Sequence, residues 1–201
     1  MRIFVTMIAY LRGSFAFKSP ALVHIDVAGV GYELQISLNT YSRIESLESG
    51  TLLTYLHIRE DAHVLYGFFD KAEKDLFIQL IGISGVGAAT ARMMLSSMRP
   101  EEITRAILQG NAKQLETIKG IGKKSAERIV LELRDKLGKS REENTNISSL
   151  TSNTLEQDAL NALITLGIAR PAAENAIKRV MSEGPGADKI EDVIKKALKI
   201  L

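Results

Sequence analysis

Two hydrophobic periods divide this chain. Up to residue 68, apolar side chains fall in short runs at 7–11, 22–27, 32–37, 52–58 and 64–68, punctuated by Gly13, Pro20, Gly29, Gly31 and Gly50. In Tyr32-Glu33-Leu34-Gln35-Ile36 apolar and polar positions alternate, the mark of a strand with one buried face. Residues 39–47 are predicted to form a short helix capped by Asn39. Five strands with a helix between the third and fourth fit a small OB-type barrel, and a plain β-meander is the competing arrangement.

From Lys71 the period becomes helical. Leu76, Phe77, Leu80 and Ile81 form an apolar stripe, with Lys71, Glu73, Lys74 and Asp75 on the first turns. Helical patterning continues to about Lys136. Residues 138–154 are polar and rich in Ser, Thr and Asn, so a flexible linker is expected there. Three helical segments follow at 155–166, 171–181 and 190–200, separated by Gly167 and Gly184-Pro185-Gly186. The predicted fold is α+β and multidomain. A five-stranded OB-type barrel spans 1–69 and an all-α tandem helix-hairpin-helix module 70–137, followed by the linker at 138–154 and a three-helix unit at 155–201.

Within the helical module a motif recurs. Ile83-Ser84-Gly85-Val86-Gly87-Ala88-Ala89-Thr90-Ala91 aligns with Ile118-Lys119-Gly120-Ile121-Gly122-Lys123-Lys124-Ser125-Ala126, 35 residues later. Two copies point to a paired module rather than a solenoid. Glycine lets the backbone turn tightly and approach a ligand without a Cβ in the way. The β-branched residue between the glycines is expected to anchor the hairpin inward. The free N–H groups that open the next helix suit an anion. Lys123 and Lys124 follow at once in the second copy, with Arg128 a turn further on. A backbone phosphate is the expected partner, and nothing in the motif reads base edges.

Charge agrees with this. The net charge of the whole chain is +2, yet residues 71–139 hold thirteen Lys/Arg against eight Asp/Glu, while 7–70 hold four against seven. With no cysteine, disulfides and thiolate metal sites are excluded and a reducing compartment fits. His57 and His63 lack the carboxylate pattern of a zinc site, so no metal or cofactor is expected. The apolar start is too short for a secretory signal and no run reaches membrane-span length, so a cytoplasmic protein is expected.

Other glycine motifs fail on the letters. A dinucleotide fingerprint needs a third glycine where Thr90 and Ser125 stand, and a preceding strand. A P-loop needs a hydroxyl after its lysine, where Lys124 stands, and Thr117 occupies the place of its first glycine.

Taken in order, Leu11-Arg12-Gly13, Gly29-Val30-Gly31-Tyr32-Glu33, Arg59-Glu60-Asp61-Ala62, Leu65-Tyr66-Gly67-Phe68, the paired hairpins, the polar linker and the three-helix tail resemble the RuvA family of bacterial Holliday-junction-binding subunits. The resemblance covers the chain from Met7, so residues 1–6 precede the family's usual start. It implies a homotetramer, one or two per junction, that holds an open four-way DNA junction. It implies an acidic pin at Glu60 and Asp61, and DNA-backbone binding by Ser84, Gly85, Gly87, Arg92, Lys119, Gly120, Gly122, Lys123, Lys124 and Arg128. It further implies docking of the RuvB ATPase on Leu163, Leu166, Ile168 and Leu198, and a link to the RuvC resolvase through the shared junction. Two departures stand out. Ala88-Ala89 replaces a proline and lysine common in the family's first hairpin, so Arg92 is expected to compensate. Ile168 stands where an aromatic is frequent.

Two rival functions make different demands. A helix-hairpin-helix glycosylase needs a catalytic Lys or Asp beside a base pocket, and a nuclease needs clustered carboxylates. Glu127, Glu132 and Asp135 are instead spread among Arg128, Arg134 and Lys136, as on an ion-paired surface, so no catalytic residue is expected. A single-strand-binding OB protein needs aromatics on a basic barrel face, and this barrel is acidic.

Overall fold

The computed structural model describes residues 7–145, 151–182 and 189–201; residues 1–6 and the Gly184-Pro185-Gly186 break lie outside the described residues. The chain divides into two compact units, Met1–Arg141 and Glu142–Leu201.

The first unit opens with β1 (Tyr10–Ser19), β2 (Leu22–Val27), β3 (Val30–Gln35), α1 (Leu38–Ile44), β4 (Ser49–Ile58) and β5 (His63–Phe68). The strands close in the order β1-β2-β3-β5-β4, with β3 and β5 parallel and the other pairs antiparallel. This is the predicted barrel, and the meander is excluded. Leu11, Phe15, Val23, Ile25, Leu34, Ile36, Ile44, Leu52 and Leu65 fill it.

The sequence pattern misplaces two barrel features. Gly13 is not a break, because β1 runs through it for ten residues. A Cβ at Gly13 would lie 1.9 Å from the Asp26 carbonyl oxygen, so glycine there permits a close strand approach. The strand bends at a bulge between Phe15 and Phe17, which lets it pair with both β4 and β2. In α1 the cap is Ser37, whose hydroxyl accepts from Thr40 N at 3.0 Å. Asn39 is spent elsewhere, donating its amide to the Leu95 and Met98 carbonyls.

The helices α2 (Lys71–Ile81), α3 (Ala88–Ser97), α4 (Pro100–Leu108), α5 (Ala112–Glu116) and α6 (Lys123–Thr145) follow. Their core is continuous with the outside of the barrel, so the first two expected domains are one compact unit. The Phe77 ring of α2 packs among Tyr66, Phe68 and Tyr55, with centroids 4.9, 4.9 and 5.6 Å away. Burial beneath α2 removes Tyr55, Tyr66 and Phe68 from the surface that a single-strand reader would need.

The second unit contains α7 (Thr151–Thr165), α8 (Arg170–Ser182) and α9 (Ile190–Ile200) around Ala159, Leu160, Leu163, Ala173, Ala176, Ile177, Val180, Val193 and Ala197. Gly167 ends α7 with φ +92°, while its N–H and that of Ile168 bond back to the Ile164 and Leu163 carbonyls, both at 3.0 Å. Part of the segment expected as a linker carries helical backbone. The helical backbone of α6 extends to Thr145 and that of α7 starts at Thr151, leaving 146–150 outside the described residues. Lys139, Arg141, Glu142 and Glu143 have good intrinsic helix propensity, which carries α6 beyond the composition break. No helix among the described residues is long and apolar enough to cross a membrane.

Candidate nucleic-acid interface

The two hairpins have nearly the same backbone. Gly85 and Gly120 take φ +90° and +92°, in the left-handed region that disfavours a side chain. Val86 N bonds to the Ile83 carbonyl and Ile121 N to the Ile118 carbonyl, each at 3.0 Å. Ile83, Val86, Ile118 and Ile121 are all buried in one core, as expected for the anchors. The next helices begin alike: Ala91 N meets the Gly87 carbonyl at 2.9 Å and Ala126 N the Gly122 carbonyl at 3.0 Å.

Gly87 and Gly122 lie outside the left-handed region, and a Cβ on either would meet nothing within 4 Å. The fold has room for a side chain at both positions. Their value is therefore at the outer surface, where a bare backbone admits a close neighbour. Within the module, α2 and α5 are capped by the Asp70 and Asn111 side chains, and Glu102 closes on the Arg99 N–H at 2.9 Å at the head of α4. Helix α3 starts at Gly87 with no side-chain cap, leaving its first N–H groups available to an outside acceptor.

Around this backbone Ser84, Gly85, Gly87, Lys119, Gly120, Gly122, Lys123 and Lys124 are exposed. Among the described residues no ion pair engages Lys119, Lys123 or Lys124. Arg128 is divided between partners: Nη1 donates to the Ser84 carbonyl at 3.3 Å and Nε lies 3.2 Å from Glu132. That bond ties the second hairpin's helix to the first hairpin.

Arg92 is placed differently from expectation. Its Nη1 donates to the Ala21 carbonyl in the β1–β2 turn at 2.9 Å, and it is half-buried. It braces α3 against the barrel, which engages one of its donors within the fold. Its charge also opposes the burial that pushes the Tyr66 hydroxyl pKa up.

Glu60 and Asp61 are exposed at the tip of the β4–β5 ribbon, which the Arg59 N–H closes on the Ala62 carbonyl at 2.9 Å. Arg59 Nε lies 3.9 Å from Asp61, an exposed pair of little energetic weight.

In the tail the four candidate leucine and isoleucine positions separate. Leu166 and Leu198 are 62% and 45% exposed, and Ile168 packs partly against the core. Leu163 is fully buried, which corrects its assignment to a docking surface: the inward face of α7 places it in the three-helix core.

One buried polar residue escaped the sequence reading. Glu73 is 2% exposed and accepts from Ser37 Oγ, and from Thr40 Oγ1 at 2.6 Å. Burial pushes its carboxyl pKa up, Asp70 adds to the rise, and the two hydroxyls oppose it. The signal was present, since Glu73 precedes Leu76, Phe77 and Leu80 at the spacing of the buried stripe. Among the described residues no cluster of three or more His, Asp or Glu could hold a metal ion.

Comparison with known proteins agrees with this architecture. Residues 7–67 match the RuvA N terminal domain, 77–135 a SAM-like helix-hairpin-helix tandem, and 154–201 the RuvA C-terminal domain. A protein of Cytophaga hutchinsonii is 42% identical over 198 residues, covering 96% of this chain and all of the relative. Proteins of Christiangramia forsetii and Bacteroides fragilis are 42% and 43% identical, each covering 97% of this chain and all of the relative. Each relative is named a Holliday junction branch migration complex subunit RuvA. With the barrel, paired hairpins and three-helix tail in the same order and near full-length identity of this size, the chain belongs to the RuvA family.

Proposed function

We propose that this chain is a non-catalytic subunit that binds four-way DNA junctions by shape, holds them open as a homotetramer, and recruits a RuvB ATPase for branch migration. The observation that carries this reading is the pair of hairpins of like backbone on one core, each presenting a bare glycine at a helix start, with the exposed Lys119, Lys123 and Lys124 around the second. Such a surface neutralises phosphates in register and has no means of reading sequence. ATP-driven strand movement then belongs to the complex with the motor. The RuvC resolvase would meet this subunit on the shared junction.

In the tetramer, Glu60 and Asp61 from four subunits would gather eight carboxylates at the crossover. Their field would repel phosphates and favour an open centre over continuous duplex. Leu166 and Leu198, with the half-buried Ile168, are the tail positions proposed to meet the motor.

A gel-shift series with full-length protein on a four-way junction, duplex and single strand tests the reading. The junction is expected to bind at least about tenfold tighter than either linear form, without dependence on arm sequence. Equal affinity for duplex or single strand overturns it. In the same series, Glu60→Gln with Asp61→Asn should raise duplex binding and narrow the preference, and an unchanged preference removes the pin from the mechanism.

A further inference from the structure

The barrel and the hairpin module are joined by more than apolar packing. Only Phe69 and Asp70 separate β5 from α2. Four successive residues at the start of α1 reach across to the helices. Ser37 and Thr40 donate their hydroxyls to the two carboxylate oxygens of Glu73 on α2. Leu38 N donates to Ser96 Oγ at 3.1 Å, and Asn39 Nδ2 donates to the Leu95 carbonyl and, at 3.0 Å, to the Met98 carbonyl at the end of α3. Thr40 Oγ1 also accepts the Phe69 N–H at 3.0 Å, which draws the connecting residues into the same network.

A buried carboxylate is an expensive way to join two layers of protein. An apolar residue could fill the space without desolvating a charge, but it would accept nothing from two hydroxyls. Hydrogen bonds fix direction as well as distance, whereas apolar contacts tolerate sliding. The geometry points to Glu73 as a positioning residue: through its hydrogen bonds to Ser37 and Thr40 it fixes the orientation of the hairpin module on the barrel, and so the preference for four-way junctions over duplex. This inference rests on the proposed function. A single hairpin pair binds a single arm whatever its mounting, but a symmetric assembly engages several arms together only when each pair is held at one angle.

Full-length Glu73→Ala and Glu73→Gln, compared with the unaltered chain on junction and duplex, test this. Glu73→Ala is expected to keep duplex affinity within about twofold and to lose about tenfold of the junction preference. Glu73→Gln retains an acceptor oxygen and a donor that the flexible hydroxyls can meet, so it should keep most of the preference. A role limited to stability lowers the melting temperature of Glu73→Ala without changing the ratio of the two affinities in folded protein, and that result overturns the inference. An equal loss of preference in both variants overturns it as well, because it removes the hydrogen bonds as the cause. Should Glu73→Ala not fold, Thr40→Val, which deletes one of the two bonds, is read by the same ratio, and an unchanged ratio again overturns the inference. Absence of junction preference in the unaltered chain would instead defeat the proposed function, leaving the two failures distinguishable.

Discussion

Gly85 and Gly120 hold φ at +90° and +92°, and Val86 and Ile121 are buried in the same core, but beyond this backbone the two hairpins part. The second is followed by the exposed Lys123 and Lys124, the first by Ala88 and Ala89. The helices they open also differ in what else they hold. Helix α3 is braced to the barrel by Arg92 at Ala21, and its far end receives Leu38 and Asn39 from α1. Helix α6 presents its first-turn lysines outward and returns Arg128 to the Ser84 carbonyl. The shape of a phosphate clamp and its charge are thus separable layers. The core dictates the shape twice, while the charge is concentrated on the hairpin whose helix is not used as a strut.

The largest expected effect follows from that division. Lys123→Ala with Lys124→Ala should weaken junction binding on the order of 10–100-fold at low salt. It should also flatten the dependence of log affinity on log salt by roughly 2 for each subunit that engages the junction, since each phosphate contact contributes about 0.9. Lys124→Ala alone should cost more than any single side-chain change in the first hairpin. Arg92→Ala should leave the salt slope in place and lower the melting temperature, because it removes a bond to the barrel. A flattened slope from Arg92→Ala, measured by titration at several salt concentrations, would break the comparison.

A smaller effect tests the shared layer. Gly87→Ala and Gly122→Ala place a methyl group in open space, so melting temperatures should stay within about 2 °C of the unaltered chain. Binding should nevertheless fall several-fold in both, and by similar factors, because the backbone approach is common to the two hairpins. Gly85→Ala and Gly120→Ala should behave differently. A side chain in the left-handed region costs about 1–2 kcal/mol, and that penalty appears in the melting temperature. Unchanged junction affinity in Gly87→Ala and Gly122→Ala would show that nothing approaches those glycines.

Much of this was legible in the sequence because the controlling physics is local. A left-handed turn needs glycine wherever it occurs, so Gly85 and Gly120 announced the hairpins, and alternating burial announced the barrel strands. What stayed hidden depends on neighbours distant in sequence. Gly13 resembles a turn residue until Asp26 is seen pressing on it from β2. Arg92 resembles a free surface cation until its bond to the Ala21 carbonyl is seen, and Asn39 resembles a cap until α3 ends beside it. In the tail, Leu163 on α7 and Leu166 in the turn just after it are both leucines, and only the packing of α8 and α9 makes the first core and leaves the second exposed. Glu73 carries a charge that suggests an exposed first turn, while its place on the apolar stripe is what buries it.

The smallest expected effect concerns the mount beside the first hairpin and separates it from the clamp itself. Burial raises the Glu73 carboxyl pKa, so the folded chain holds that proton more tightly than the unfolded chain does. The associated stability is fully present below the unfolded carboxylate value and is lost as pH climbs through the raised folded value. Asp70, Arg43, Arg99 and Glu101 line a cavity of about 440 Å³ together with Glu73, and Glu73→Gln leaves all four in place. The melting temperature of Glu73→Gln minus that of the unaltered chain isolates residue 73. This difference should increase as pH rises from the ordinary carboxylate range through the raised value, then level off. Lys123→Ala with Lys124→Ala should give a difference that is flat over the same window, since it leaves Glu73 and its buried surroundings untouched. A flat or falling difference for Glu73→Gln would mean that the hydroxyls of Ser37 and Thr40 fully offset the burial, and that the joint carries no electrostatic cost.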